Sequence, residues 1–194
     1  MYFLRIAALA LFVPLVGGAA PRGCLVVGIA DGDTLTARCG QPGAYEQVKA
    51  RLAEIDAPEK KQPFGERSRQ SLASLCFQGE AVLHTSTIDR YGRTVARVEC
   101  DGRDANAEQV RAGMAWAYTQ YQTDPVIPRL ELQARSARTG LWRDLGTAAE
   151  PTAPWEWRKA RREGTPRLPC EGSPTAFEAI VSPDPTTLQV NRSL

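Results

Sequence analysis

The sequence predicts a small α+β domain: a five-stranded β-barrel decorated by three helices. Three observations carry this. Five short stretches combine β-branched or alternating apolar residues, and each is bounded by Gly, Pro or Asp turns. Three other stretches place apolar residues at helical spacing. The first of these falls between the third and fourth strands, which describes a small barrel decorated by helices.

The chain begins with a targeting segment. Arg5 gives a thin positive region and residues 6–16 are apolar, broken only by Pro14; Gly17, Gly18, Ala19 and Ala20 follow. That is the pattern of a cleaved secretory leader, assigned to residues 1–19, and its apolar run is short for a bilayer span. About 170 residues remain, enough for one domain with its own core. The expected product is a monomer, periplasmic or secreted, with no membrane insertion after cleavage. With 24 Lys and Arg against 22 Asp and Glu, net charge does little to attract a polyanion. Nucleic-acid binding therefore needs a local positive face.

Leu25, Val26, Val27 and Ile29 make the first strand over 24–30. The second, 34–39, alternates Leu35 and Ala37 with Thr36 and Arg38. Gly32 between two aspartates reads as the intervening hairpin turn, using a positive φ. Residues 40–45 are a connection, and 48–55 the third strand, with Arg51 and Leu52 on opposite faces and Pro58 as its stop. Leu72, Leu75 and Cys76 mark a helix over 66–77, closed by Gly79. Residues 81–88 and 94–100 are strands four and five, joined by Asp89-Arg90-Tyr91-Gly92-Arg93. Asp104 caps a short helix carrying Val110. After an aromatic connection over 114–121, Asp124-Pro125 starts a last helix that Gly140 stops. An OB-type barrel is the natural candidate, with the domain spanning 24–145. Residues 146–164 form a basic aromatic extension that docks back on it, and 165–194 have the composition of a disordered tail.

Five cysteines in an exported chain read as two bridges and a leftover. Cys24 and Cys39 flank the first hairpin almost symmetrically, and Cys76 and Cys100 bracket the second. Cys24–Cys39 and Cys76–Cys100 are therefore expected, with Cys170 free; the sequence leaves other pairings open.

The chemistry concentrates between Asp31 and Glu59. Carboxylates outnumber every other ligand type there, and oxygen donors suit a hard cation such as Ca²⁺ or Mg²⁺. Arg51 among them suits phosphate, and Glu59 is a spare carboxylate. Phosphodiester hydrolysis follows. The single histidine, His84, has no partners for a histidine or zinc mechanism and reads as structural. Trp116 reads as core, and Arg90 and Arg97 as ordinary surface arginines. The run Arg158 to Arg162 suits either a phosphate backbone or a solvated basic helix.

Three motifs in order, Asp31-Gly32-Asp33-Thr34, Arg51 with Asp56-Ala57-Pro58-Glu59, and Asp89-Arg90-Tyr91-Gly92-Arg93, resemble the staphylococcal nuclease family. Weaker agreement continues through Asn106, Val110-Arg111-Ala112-Gly113-Met114-Ala115, Tyr121 and Gly140-Leu141-Trp142. The resemblance implies an OB-fold endonuclease that cleaves DNA and RNA with Ca²⁺, Mg²⁺ being the lesser choice, and leaves 3′-phosphorylated ends. It implies that Asp33, Asp56 and the Ala57 carbonyl hold the cation, with Asp31 behind them. Glu59 would be the general base, Arg51 and Arg93 the phosphate-binding arginines, and Tyr91 and Tyr121 part of the nucleotide pocket. Thr119 stands where the family has a third tyrosine. An ordinary Glu, with a pKa of about 4.3, is a weak base at neutral pH, so Glu59 needs a polarised water. Arg93 stays protonated and acts electrostatically. The rival reading is a non-catalytic OB-fold module that binds single-stranded nucleic acid. A phosphodiesterase of small nucleotides is a third.

Overall fold

The computed structural model describes residues 22–164. The expected leader, the 165–194 tail and Cys170 lie outside the described residues. Strands β1 (Arg22–Ile29), β2 (Thr34–Gln41) and β3 (Ala44–Leu52) form an antiparallel meander. A short strand β4 (Ile55–Asp56) and helix α1 (Gly65–Cys76) come next. Then β5 (Glu80–Ile88) and β6 (Thr94–Cys100) make the second hairpin. A two-residue β7 (Arg103–Asp104) leads into α2 (Ala105–Arg111), and β8 (Trp116–Ala117) pairs with β4. Helices α3 (Val126–Ser136) and α4 (Pro154–Arg162) complete the order.

The barrel closes because β3 pairs in parallel with β6, at Ala50↔Thr94, Arg51↔Val95 and Leu52↔Ala96. Strands β3, β2, β1, β5 and β6 thus form a five-stranded ring, the OB-type α+β barrel the sequence predicts. Its filling is small: Val26, Leu35, Ala50, Leu52, Ala96 and Val98 are all fully buried. Leu72 of α1 and Val110 of α2 seal one side. A second cluster lies beyond β8, where Trp116 and Trp142 meet edge to face at 5.0 Å and Ala134, Leu141 and Ala153 pack around them.

The bridges are Cys24–Cys39 and Cys76–Cys100, the pairs suggested by the hairpins. The first spans β1 and β2 at directly paired positions. The second ties the end of α1 to the end of β6.

Several boundaries differ from the sequence expectation, each for a local reason. The connection at 40–45 is mostly strand. Pro42 and Gly43 alone make the turn, with Gly43 at φ 87°, so the β2–β3 ladder runs out to Gln41↔Ala44. The third strand stops at Leu52 rather than near Pro58, because Glu54 adopts φ 63° and turns the chain into β4. Gly32 does not use a positive φ. It is needed for space, since a Cβ there would sit 1.7 Å from Ser68 Oγ and 2.8 Å from the Ala57 Cβ.

Helix α3 ends at Ser136, short of Gly140. Arg138 turns left-handed at φ 50° while its N–H donates to the Arg135 carbonyl and that of Thr139 donates to Ala134. That double bond pattern closes a helix before any glycine is reached. Gly140 instead lies against the Gly113 and Ala112 carbonyls, where a Cβ would stand at 2.4 and 2.6 Å. The described residues hold four α-helices rather than three, because the basic aromatic segment at 155–162 coils into α4.

Candidate active site

Two loops and a short strand bring the predicted acidic residues together. Asp33 ends the β1–β2 loop and is buried. Its Oδ2 accepts the Ala57 N–H at 2.8 Å, and its Oδ1 accepts the Thr34 hydroxyl at 3.0 Å. Asp56, on β4, is 1% exposed. Arg51, near the end of β3, spans the pair: its Nη2 lies 3.3 Å from Asp33 Oδ2 and 3.3 Å from Asp56 Oδ1. Its Nη1 donates to the Leu52 carbonyl at 2.6 Å, which fixes the guanidinium plane. Two buried carboxylates thus aim oxygens at one cationic atom.

Asp31 lies in the same loop and accepts the Asp33 N–H at 3.1 Å. Burial first, and then the Asp33 charge, raises its pKa to about 6. The Asp56 carboxyl also sits above its ordinary value. Burial is the main cause and the Asp33 charge adds to it, while the guanidiniums of Arg158 and Arg51 pull the other way.

The loop geometry rests on buried amides, of which only Asn106 lay among the residues of the family resemblance. Gln109 of α2 donates to the Gly32 carbonyl at 2.7 Å and to the Ser68 carbonyl at 3.1 Å, pinning the Asp31–Asp33 loop to α1. Asn106 donates to the Ala53 carbonyl at 2.8 Å and accepts the Val98 N–H at 3.0 Å, holding the turn that delivers Asp56. Both sit on the buried face of α2 among Ala105, Ala107 and Val110. Gln62 accepts the Glu59 N–H at 3.1 Å and donates to the Thr152 carbonyl at 2.6 Å, joining the Glu59 loop to the C-terminal extension.

Arg158 joins the group from α4. Its Nη2 lies 2.7 Å from Asp56 Oδ2, and its Nη1 is 3.2 Å from Asp56 Oδ1 and 3.0 Å from Glu59 Oε1. Burial works against its charge, but the bonds to Asp56 and Glu59 outweigh that and raise its pKa. The sequence offered Arg158 only as one cation in a basic run; the face it shares with Trp155, three residues earlier, was the available clue. Trp155 stacks on Tyr118 at 5.8 Å between centroids.

The other predicted residues have partners of their own. The recorded partners of Arg93 are Asp89, whose Oδ2 accepts its Nε–H at 2.7 Å, and the Tyr91 ring, 5.5 Å below its guanidinium. Tyr91 and Tyr121 are largely exposed. Tyr121 meets Tyr118 edge to face at 5.1 Å, so the aromatic group on this side is Tyr121, Tyr118 and Trp155. Ala57 is fixed by its N–H on Asp33. Trp116 is core and exposed His84 pairs with Glu99 at 3.2 Å. Arg97 is more than a surface arginine: it bridges Asp104 and Asp124, tying the α2 cap to the start of α3. Among the described residues, no three or more His, Cys, Asp or Glu side chains gather into a closed metal cage. No helix there is long and apolar enough to cross a membrane.

Residues 49–144 match a family described as staphylococcal nuclease homologue. A Haemophilus influenzae protein named "Uncharacterized endonuclease" is 43% identical over 139 residues, covering 72% of this chain and 74% of that one. The micrococcal nuclease of Shigella flexneri is 40% identical over 170 residues, covering 82% and 92%. The probable staphylococcal-like nuclease CAN1 of Oryza sativa subsp. japonica is 37% identical over 127 residues, 65% of this chain and 37% of that one. With its barrel, its converging carboxylates and arginine, and the Haemophilus and Shigella relatives matched over most of their length, this chain belongs to the staphylococcal nuclease family.

Proposed function

We propose that this nuclease is an exported, metal-dependent endonuclease that hydrolyses DNA and RNA and leaves 3′-phosphorylated ends. The observation that carries the reading is the convergence of Asp33 and Asp56 on the single Arg51 Nη2, each at 3.3 Å. Buried acids serve a cation or a phosphate-binding guanidinium; a module that only binds a polyanion has no use for them.

Oxygen donors of this kind fit Ca²⁺, with Mg²⁺ the lesser choice, because both are hard cations. Asp33 and Asp56 would hold it, with the Ala57 carbonyl as a third donor and Asp31 behind Asp33. Two carboxylates do not fill a shell of six to eight oxygens, which leaves positions for water and substrate phosphate. Once bound, the ion supplies charge to a phosphate oxygen and polarises water.

The protein's own groups do the rest. Arg51 lies within reach of the same space and offers a phosphate its forked N–H donors, an interaction that strengthens as negative charge builds in the pentacoordinate state. Glu59, beside Asp56 and bridged to it by Arg158, takes a proton from the attacking water. The new bond joins water oxygen to phosphorus, the bond to the 5′ oxygen breaks, and that oxygen leaves as a hydroxyl with a proton from solvent. Tyr91 and Tyr121 offer exposed rings on which bases can stack. The two disulfides support an oxidising compartment, periplasmic or extracellular.

The test is digestion of plasmid and of RNA with added Ca²⁺, with Mg²⁺ and with chelator, beside Asp33→Ala and Glu59→Ala. Loss of the general base should cost about 10²–10⁴-fold in rate. Cleavage that survives chelator, or that both variants retain in full, would place the chemistry elsewhere.

A further inference from the structure

We propose that Arg158 is a phosphate-binding arginine of this active site, delivered by α4 from outside the stretch that matches the family. This rests on the nuclease reading above. Residues 49–144 carry the family match, and α4 begins at Pro154. The sequence motifs offered Arg51 and Arg93 as the two guanidiniums. Arg51 and Arg158 both pair directly with the site carboxylates, whereas the ion pair of Arg93 is with Asp89 in its own hairpin loop.

The Arg158 geometry is that of a fork. Two nitrogens face the two oxygens of Asp56, at 3.2 and 2.7 Å, and Nη1 also reaches Glu59 at 3.0 Å. A phosphodiester presents a similar pair of anionic oxygens, and guanidinium matches both groups in the same planar way. A substrate phosphate beside Asp56 can therefore exchange with a carboxylate on this fork, trading one planar oxygen pair for another. The Arg158 side chain is one-third exposed, against 13% for Arg51, so it is the more accessible of the two.

Arg158 is not a passing tail contact. Pro154 is buried at the start of α4, and Ala153 packs in the second core cluster. The Gln62 amide holds the Thr152 carbonyl at 2.6 Å, and Trp155 stacks on Tyr118. Four contacts along one edge set the helix, so the arginine is presented from a fixed platform. Such preorganisation is what makes a charged donor effective against charge that develops during reaction. Trp155, three residues before Arg158 on the same helix, stacks on Tyr118, an aromatic surface that can take a base.

The experiment compares Arg158→Ala and Arg158→Lys with wild type and Arg93→Ala. Two quantities are read: kcat/KM on single-stranded DNA with Ca²⁺, and the affinity for thymidine 3′-monophosphate, of the expected product class, by calorimetry. Arg158→Ala should lower both by about 10- to 100-fold. Arg158→Lys should recover part, because it keeps the charge and loses the fork. Thermal melting should fall in Arg158→Ala and recover in part in Arg158→Lys, because Asp56 keeps its buried charge with one guanidinium fewer; both quantities are therefore read at a temperature where every variant is folded. Cleavage as fast as wild type or faster in Arg158→Ala, or unchanged nucleotide affinity, would overturn the proposal and make α4 a strap across the site. A wild-type protein that cleaves nothing with any divalent cation would defeat the nuclease reading instead, and the nucleotide titration would still decide Arg158.

Discussion

Asp33 accepts the N–H of Ala57 at 2.8 Å, across 24 residues of chain. That one bond locks the loop after β1 against the residue following Asp56, and so sets the spacing of the two acids. Asp33→Ala leaves the buried Ala57 N–H without an acceptor and should cost about 1–3 kcal/mol of stability. On the proposed metal site it should also remove stabilisation by Ca²⁺, which for one site at 100 times Kd would be about 2.7 kcal/mol. Thermal melting with and without Ca²⁺ checks both.

Asp31 yields a pH signature. Its pKa is raised to about 6 in the fold, against 3.8 as the ordinary value. The folded state therefore binds the proton more tightly than the unfolded state, and this residue's contribution to stability is present below about 4 and lost as pH rises through about 6. Asp31→Asn keeps an oxygen for the Asp33 N–H and carries no charge. Relative to wild type, metal-free Asp31→Asn should become more stable as pH climbs from 4 to 7. Parallel melting curves across that range would contradict the burial of Asp31.

Gly32 is fixed by contact rather than by backbone conformation. A methyl group there would meet Ser68 Oγ and Ala57. Gly32→Ala should destabilise by about 1–3 kcal/mol, and it should lower activity further because it pushes the Asp31–Asp33 loop away from β4. Comparing the urea midpoint with the cleavage rate separates the two effects.

Arg138 closes α3 in a left-handed conformation, at φ 50°. A glycine there avoids a strain of about 1 kcal/mol. Arg138→Gly should raise stability by no more than about 0.5 kcal/mol, after the loss to the freer unfolded chain, with cleavage unchanged. A lower melting temperature would mean that its bond to the Leu145 carbonyl, 2.8 Å long, outweighs the strain.

The sequence by itself determined the strands and hairpins from which the barrel is built, because period-two patterning, the Pro-Gly turn and a helix cap are local properties. Asp104 shows this: it caps α2 by accepting the Ala107 N–H, as its place before an apolar helical run requires. The acid motifs were legible for the same reason, since Asp33, Arg51 and Asp56 lie at the ends of recognisable strands. Other features were settled only by the tertiary structure. The parallel β3–β6 pairing joins residues more than forty positions apart, and no local pattern encodes it. The role of Gly32 depends on what α1 brings near it. Arg158 enters the site because Pro154, Trp155 and Gln62 dock α4 at long range, and a run of basic residues reads the same whether it faces solvent or a carboxylate. Local sequence fixes local conformation; which charge meets which is decided by packing between distant segments, where burial makes an unpaired acid costly and draws a guanidinium to it.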